Sequence, residues 1–391
     1  MGDLKLAMTE VLACLRGGGD LERVSLRRLQ EFLWYELPTK WPGWTDLAPA
    51  VGDLFDSAGL PHHARLCRAA ITSKVHAAYQ RGVTAGITAF EEAERRSGLV
   101  PPDLPAAGET PALAWGAAMG PQEAAAYESA AVALERAVTT GVLCPHAPGW
   151  RLRQREIVAR HISDAALLDV ILAERIQRWV EGGSAPRTQA VRPVAQRLRQ
   201  PVPTPPNTDV AIEPLRWLLA EIGPGVTLTR TDRLPRTLVS RGAERFGWPV
   251  TGTEVLDLHE IAWRIGALRR SAHRLFLTPR GRRLIVVPAA LWRAAAARLV
   301  PPDGFAAVLS ELAFVLLLDT GPIRLDDLAV RIHELVPGLP GPEFVPHLLQ
   351  PLLRPAHHVG VVTLADSAVA LTPPGRPAAL LALQARATAP L

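Results

Sequence analysis

The chain has 391 residues, of which 48% are hydrophobic and 21% charged, and its formal net charge is +5. That balance excludes an intrinsically disordered polypeptide, and the length exceeds what one ordinary core organises, so two or three domains are expected. Of the 43 basic residues, 40 are Arg and only Lys5, Lys40 and Lys74 are Lys; the ratio suits either phosphate recognition by guanidinium forks or a GC-rich coding sequence.

Residues 1–181 carry helical periodicity with short breaks, which predicts an all-α domain. Ser25 is placed to cap a helix over 26–37, Thr45 to cap a run ending near Gly59, and Pro61 to start a run reaching Arg81. Further helical patterns cover 84–97, 121–141, 150–161 and 164–181, while 98–111 and 143–149 read as loops. Trp34, Tyr35, Trp41 and Trp44 crowd one segment around Lys40. They suit a core-and-turn role, with stacking on bases or a peptide as the alternative.

Residues 182–212 break the pattern. Gly182-Gly183-Ser184-Ala185 leads into a stretch with six prolines from Pro186 to Pro206, four Arg (Arg187, Arg192, Arg197, Arg199) and a single acid, Asp209. It reads as an extended, basic Pro-rich linker, or alternatively as an arm that tracks a polyanion.

Beyond 212 the chain repeats a phrase. Leu277-Thr278-Pro279-Arg280-Gly281-Arg282 returns 94 residues later as Leu371-Thr372-Pro373-Pro374-Gly375-Arg376. Each copy follows a β-like run and opens a helix, with Thr as the cap and Pro in the first turn. The first copy, 213–300, predicts helices over 213–222, 232–246 and 254–265. Strands over 266–270 and 274–277 follow, then helices over 279–286 and 288–299. The second copy, 301–391, predicts helices over 305–318, 325–335 and 342–353, strands over 360–364 and 368–371, and a last helix over 373–384. The same offset superposes Asp232 on Asp326, Leu234 on Leu328 and Leu238 on Ile332, so the helix register repeats along with the phrase.

A strand followed by Leu-Thr-x-x-Gly-Arg resembles the wing exit of the MarR-like winged helix-turn-helix proteins, and the likeness covers roughly 213–391. It implies a mainly α fold: the all-α N-terminal domain followed by two tandem winged-helix domains with small β wings. The chain departs from that family in carrying two wings and in lacking recognisable dimerisation helices. The architecture is also similar to actinobacterial proteins that join a helical N-terminal region to winged helices, a likeness that carries no activity with it.

Winged helices bind DNA with the third helix in the major groove and the wing on the backbone or in the minor groove. Residues 213–300 hold 15 Arg against seven acids, net +8, whereas 1–181 and 301–391 are each −3 and 182–212 is +3. A local excess of this kind is an electrostatic footprint for nucleic acid. The candidate DNA-binding residues are Arg269, Arg270, Arg274, Arg280, Arg282 and Arg283 around the wing, His273 at its tip, and Arg233 and Arg236 at the second helix, which Arg241 and Arg245 extend. The third helix argues the other way. Glu254, Asp257 and Glu260 recur every three residues on one face and would repel phosphates. Contact through the wing with little base readout is therefore expected. In the second copy Pro346 and Pro351 are expected to bend or end the third helix. Its wing offers Asp366 and no cation before Arg376. That copy reads as a protein interface, with Phe344, Leu348 and Leu349 as its candidate residues.

Little else carries chemistry. His62-His63 and His357-His358 are read as surface or loop histidines, because neighbours on a helix diverge by about 100°. Trp217, Trp263 and Trp292 are read as core. Cys14, Cys67 and Cys144 form no C-x-x-C pair, which argues against a disulfide framework or a structural zinc site. No phosphate-binding Gly loop, nucleophile elbow or H-E-x-x-H is present, so no enzyme activity, cofactor or metal is expected. The N-terminus lacks a signal-like segment and the longest apolar run, Leu312–Leu318, is far below a bilayer span; a cytoplasmic protein without a membrane segment is expected. The expected function is DNA binding, by a transcriptional regulator or DNA-associated factor whose partner is double-stranded DNA. The alternative is an interaction or scaffold protein that docks partners through both winged helices. A protein partner of the second winged helix or of the N-terminal domain fits either, and the oligomeric state is not legible.

Overall fold

A computed structural model of the protein describes residues 15, 21, 24–44, 47–97, 119–144, 147–161, 165–249, 252–302, 304–339, 341–365 and 367–389. The chain is mainly α-helical, with two small three-stranded antiparallel sheets. It divides into two units, residues 1–171 with 390–391, and residues 172–389.

In the first unit Ser25 caps α1 (Leu26–Glu31), its hydroxyl accepting the Arg28 N–H at 2.9 Å. A π-helical turn, Phe32–Glu36, follows and leads into α2 (Leu37–Lys40). The turn directs Phe32, Leu33 and Trp34 together into the core. The Leu33 carbonyl accepts from the His76 ring at 2.6 Å. Then come α3 (Leu47–Ser57), α4 (Pro61–Cys67), α5 (Ala70–Arg81), α6 (Val83–Ser97), α7 (Pro121–Thr139) and α8 (Trp150–His161). The single run expected from Pro61 to Arg81 is two helices. At the break Thr72 Oγ1 donates to the Leu66 carbonyl at 2.8 Å and accepts Trp34 Nε1–H at 2.9 Å. Trp34 is thus core rather than a stacking surface. The Thr45 cap and the 98–111 loop lie outside the described residues.

Helix α7 closes the first turn of α1 with a carboxylate. Glu135 accepts the Leu26 and Arg27 N–H groups at 2.7 and 2.8 Å, groups that a helix start leaves without intrahelical partners. Burial pushes the Glu135 carboxyl up to about 7, against those two hydrogen bonds.

Helix α9 (Ala165–Glu181) runs into the second unit, and α10 (Ala185–Leu198) occupies the segment expected to be an extended linker. The prolines do not prevent this helix. Pro186 sits in the first turn, where its missing N–H costs nothing, and Pro193 is on the exposed side. Ser184 caps it through the Arg187 N–H, and Val191, Val194, Ala195 and Leu198 line its buried face. Nor is the segment a free basic arm. Arg187 is buried, with Nη2 2.6 Å from Glu311, and Arg197 faces Asp319. Of this segment, residues 182–184 and 199–207 are non-helical.

One succession of elements, with an additional helix at the end of the first copy, then occurs twice. The first repeat is α11 (Thr208–Ile222), β1 (Val226–Thr227), α12 (Arg236–Phe246), α13 (Thr253–Arg264), β2 (Leu268–Ser271), β3 (Arg274–Leu277), α14 (Pro279–Val286) and α15 (Pro288–Ala296). The second is α16 (Gly304–Asp319), β4 (Ile323–Arg324), α17 (Leu325–Leu335), α18 (Val345–His358), β5 (Val362–Ala365), β6 (Ala368–Leu371) and α19 (Gly375–Ala387). The sheets have orders β1-β3-β2 and β4-β6-β5. The two-residue strands β1 and β4 are too short to leave an alternating pattern in the sequence. Helix α18 is not ended by proline, since it runs through Pro351 and Pro355 with Pro346 in its first turn.

The repeated phrase has a physical basis. Thr278 Oγ1 accepts the Gly281 N–H at 2.9 Å and donates to the Gly266 carbonyl at 2.8 Å, and Thr372 does the same with Gly375 at 3.0 Å and Gly360 at 2.6 Å. A Cβ on Gly281 would strike the Ala267 carbonyl, and one on Gly375 the Val361 carbonyl. The Thr therefore ties the helix start to the entry of the hairpin, and the Gly permits the close approach.

A single cluster of buried apolar side chains, from Ile176 to Ala387, includes both repeats, α10 and the end of α9. Glu311 on α16 lies inside this unit, 2% exposed, receiving Arg187, Trp179 Nε1–H at 3.0 Å and Arg386 at 3.4 Å. Among the described residues no helix is long and apolar enough to cross a membrane.

Two outcomes follow from these buried carboxylates. Glu311→Ala strands buried Arg187 and should cost about 3–5 kcal/mol in denaturant unfolding. Glu135 holds a proton in the native state that an unfolded chain has released by about pH 5. Its contribution to stability should therefore fall as pH rises from about 4.5 to about 7, and Glu135→Gln should flatten that part of the stability–pH curve.

Candidate nucleic-acid interface

The β2–β3 hairpin pairs Leu268 with Leu277, Arg269 with Phe276, Arg270 with Leu275 and Ser271 with Arg274. Side chains alternate across a strand, so Leu275 and Leu277 enter the core while Arg269, Phe276 and Arg274 share the outer face. Both guanidinium carbons lie 5.1 Å from the centroid of the Phe276 ring. Each cation is held against the ring's negative face. Gly225, at φ +93°, lies beneath this arrangement, and a Cβ there would come within 2.8 Å of the ring.

At the hairpin tip Ala272 and Asp232 both adopt left-handed conformations, at φ +51° and +60°. Arg270 is gripped from two sides: Nε donates to the Ala272 carbonyl at 2.8 Å, and Nη2 lies 2.8 Å from Asp232 Oδ1. His273 Nδ1 is 3.4 Å from the same oxygen. Arg233 and Arg236 are exposed between this tip and α12, and Arg280, Arg282 and Arg283 are exposed on α14. Among the described residues these five meet no carboxylate. Arg241 and Arg245 differ, since Glu221 and Glu213 pair with them at 2.8 and 3.0 Å. All nine candidate residues are exposed: Arg269, Arg270, His273 and Arg274 on the hairpin, Arg233 and Arg236 before and at the start of α12, and Arg280, Arg282 and Arg283 on α14.

The acidic face of α13 has another occupant. Helix α18 packs against α13, and Arg354 donates to Asp257 through Nε at 2.6 Å and Nη2 at 3.0 Å, a fork-to-carboxylate pair. His358 Nδ1 lies 3.1 Å from Asp257, and Asp257 and Glu254 are buried, at 5% and 8% exposure. Burial alone would push the Asp257 carboxyl up; hydrogen bonds from His358 and Arg354 outweigh it and hold the group below its ordinary value. Glu260 pairs with Arg264 along the helix. The third helix of the first repeat is thus joined to the third helix of the second.

The hairpin of the second repeat lacks these cations. Thr363, Leu364, Ala368 and Ala370 stand at the positions of Arg269, Arg270, Arg274 and Phe276, and Arg376 donates to the Leu318 carbonyl. Of the apolar residues expected at a protein interface, Phe344 and Leu348 are exposed, at 57% and 37%. Leu349 is fully buried, because Val345, Leu349 and Leu353 form the inward stripe of α18. Two further expectations fail. Trp263 is 40% exposed rather than core, while Trp217 and Trp292 are buried. The His358 side chain is 8% exposed rather than at the surface, because it faces Asp257. The α13–α18 contact left no sequence signal beyond an acid face on one helix and Arg354 on another, far along the chain.

Among the described residues no group of three or more His, Cys, Asp or Glu side chains could hold a metal ion. Burial pushes the Cys67 thiol up to about 12. No protein-family model matches the chain, and no curated protein or solved structure matches it.

Asp257 links pH to this contact. Its carboxyl is depressed in the folded state, so its stabilisation is fully present above the unfolded value of about 4 and is lost as pH falls through the folded one. Wild type should lose more stability than Asp257→Asn between about pH 5 and pH 3, read as the difference in urea midpoints.

Proposed function

We propose that the chain is a DNA-binding protein, a transcriptional regulator or DNA-associated factor, whose second unit is two tandem winged helices and whose DNA contact is the basic hairpin of the first. The observation that carries this reading is the outer face of that hairpin. Arg269 and Arg274 are held on Phe276 and point to solvent. Arg233, Arg236, Arg280, Arg282 and Arg283 stand nearby in the chain without carboxylate partners among the described residues. Exposed guanidinium groups that are oriented yet not neutralised favour a partner with closely spaced phosphates, and double-stranded DNA is one. The order helix–strand–helix–helix–hairpin supports the winged-helix assignment, with the hairpin as the wing. The proposed role is binding, not catalysis, and the compartment in which DNA is met is the cytoplasm of a bacterium.

A second reading is a protein-docking or scaffold role, favoured by Phe344 and Leu348, which stand exposed side by side on one face at the start of α18. Failure of any duplex to bind at low salt would leave this reading in place of the first.

The test uses the full chain and fluorescence anisotropy with unrelated 25-base-pair duplexes across a salt series. Replacing Arg269, Arg270 and Arg274 together with Ala should weaken binding to every duplex and reduce the slope of log K against log salt by roughly two to three. Unchanged affinity would remove the hairpin from the interface.

A further inference from the structure

The basic hairpin carries its own anion. Asp232 is placed at its tip by a turn closed on three sides. The Thr229 N–H donates to the Arg233 carbonyl at 2.8 Å, the Asp232 N–H to the Thr229 carbonyl at 2.9 Å, and the Arg233 N–H to Thr229 Oγ1 at 3.0 Å. The turn needs a left-handed residue at 232, a conformation that Asp and Asn tolerate better than most. It presents the carboxylate to Arg270 Nη2 at 2.8 Å and His273 Nδ1 at 3.4 Å. The carboxylate thus occupies the position an incoming phosphate oxygen would take between those two side chains. The remaining candidate cations have no such partner among the described residues. In the second repeat Asp326, the residue 94 positions on, meets Arg324 at 3.6 Å, and Leu364 and Ser367 replace Arg270 and His273.

We propose that Asp232 is a specificity-determining residue that masks Arg270 and His273, so that the tip opens only to a ligand able to displace a carboxylate: a polyanion already engaged by neighbouring arginines. This rests on the reading of the hairpin as a phosphate-binding surface. Asp232 and an incoming phosphate compete for the same guanidinium. The Asp232–Arg270 pair is 42% exposed on both sides, so solvent screens it and it can exchange. Arg269 and Arg274, held on Phe276, are available without exchange. A polyanion gripped there brings its next phosphate to the tip at high local concentration, whereas a lone anion or an isolated acidic side chain meets a site already neutralised. The left-handed backbone and the Ala272 carbonyl fix Arg270 on its other side, so displacing the carboxylate need not reorganise the hairpin.

The experiment compares wild type with Asp232→Asn as full-length proteins, by anisotropy with a 25-base-pair duplex across a salt series. Asn keeps the side-chain shape and the left-handed turn. The expected result is affinity tighter by about two- to fivefold at low salt and a salt slope steeper by about one. Adding Arg270→Ala to Asp232→Asn should abolish the gain. Asp327→Asn makes the same charge change on α17 of the second repeat; an equal gain there would reduce the effect to net charge and overturn the proposal. Unchanged or weaker binding by Asp232→Asn would overturn it too, making Asp232 a prop that holds Arg270 in place. If wild type binds no duplex at any salt, the phosphate-surface reading fails with it, an outcome distinct from binding that Asp232→Asn does not strengthen.

Discussion

The contact between Asp257 and Arg354 constrains what the second unit can do with its surface. A carboxylate at 5% exposure needs a partner that meets both oxygens, and the guanidinium of Arg354 supplies two donors in a plane. Because the two residues lie on α13 and α18, satisfying that charge joins the two repeats through their third helices. The same contact removes Asp257 from any role as an exposed repellent charge. It also removes one face of α13 from any role in reading bases. What remains exposed along α13 is Leu256, Glu260 and Trp263, a side with no unpaired cation among the described residues. Exposed positive charge in the first repeat is then carried by the basic hairpin, by Arg233 and Arg236, and by α14.

The hairpin depends on simple rules applied together. Strand alternation sends Leu275 and Leu277 inward and Phe276 outward. An outward Phe would be an exposed apolar group, but two arginines cover it, one from each strand. Gly225 leaves the room that the ring needs. Orientation of the cations therefore comes from a ring and not from carboxylates, so their charge is kept. The tip follows the opposite rule, with Asp232 cancelling Arg270. On the proposed reading, a surface that mixes oriented free cations with one masked cation would answer differently to a single anion and to a chain of phosphates.

Much of the architecture was legible from periodicity. The strands Arg274–Leu277 and Ala368–Leu371 fall where the pattern places them, and the helices of both repeats lie within about five residues of it, α18 running on past the expected proline stop, because each has an apolar stripe or alternation long enough to see. The repeated Leu-Thr-x-x-Gly was legible for a firmer reason: its Thr and Gly perform the same hydrogen bonding and the same close approach in both copies. Three features were not legible. Proline content argued for an extended 182–212, yet the buried stripe Val191, Val194, Ala195 and Leu198 had the stronger effect once it met the core of the second unit. Leu349 and Leu348 look alike in sequence, and only the phase of α18 against its neighbours separates the buried one from the exposed one. Strands β1 and β4 exist because a neighbouring strand edge offers hydrogen bonds, not because two residues prefer extension.

Local chemistry therefore set the helices, the caps, the hairpins and the concentration of positive charge in 213–300, since each depends on residues within a turn or a strand of one another. Tertiary structure decided which charges are spent and which are free. Arg187 is neutralised by Glu311, Arg241 by Glu221, and Asp257 by Arg354, across separations of 124, 20 and 97 residues. Pairings of that kind leave no periodic trace, because the energy of a charge depends on its distance from its partner and on the water excluded between them, and neither quantity is written along the chain.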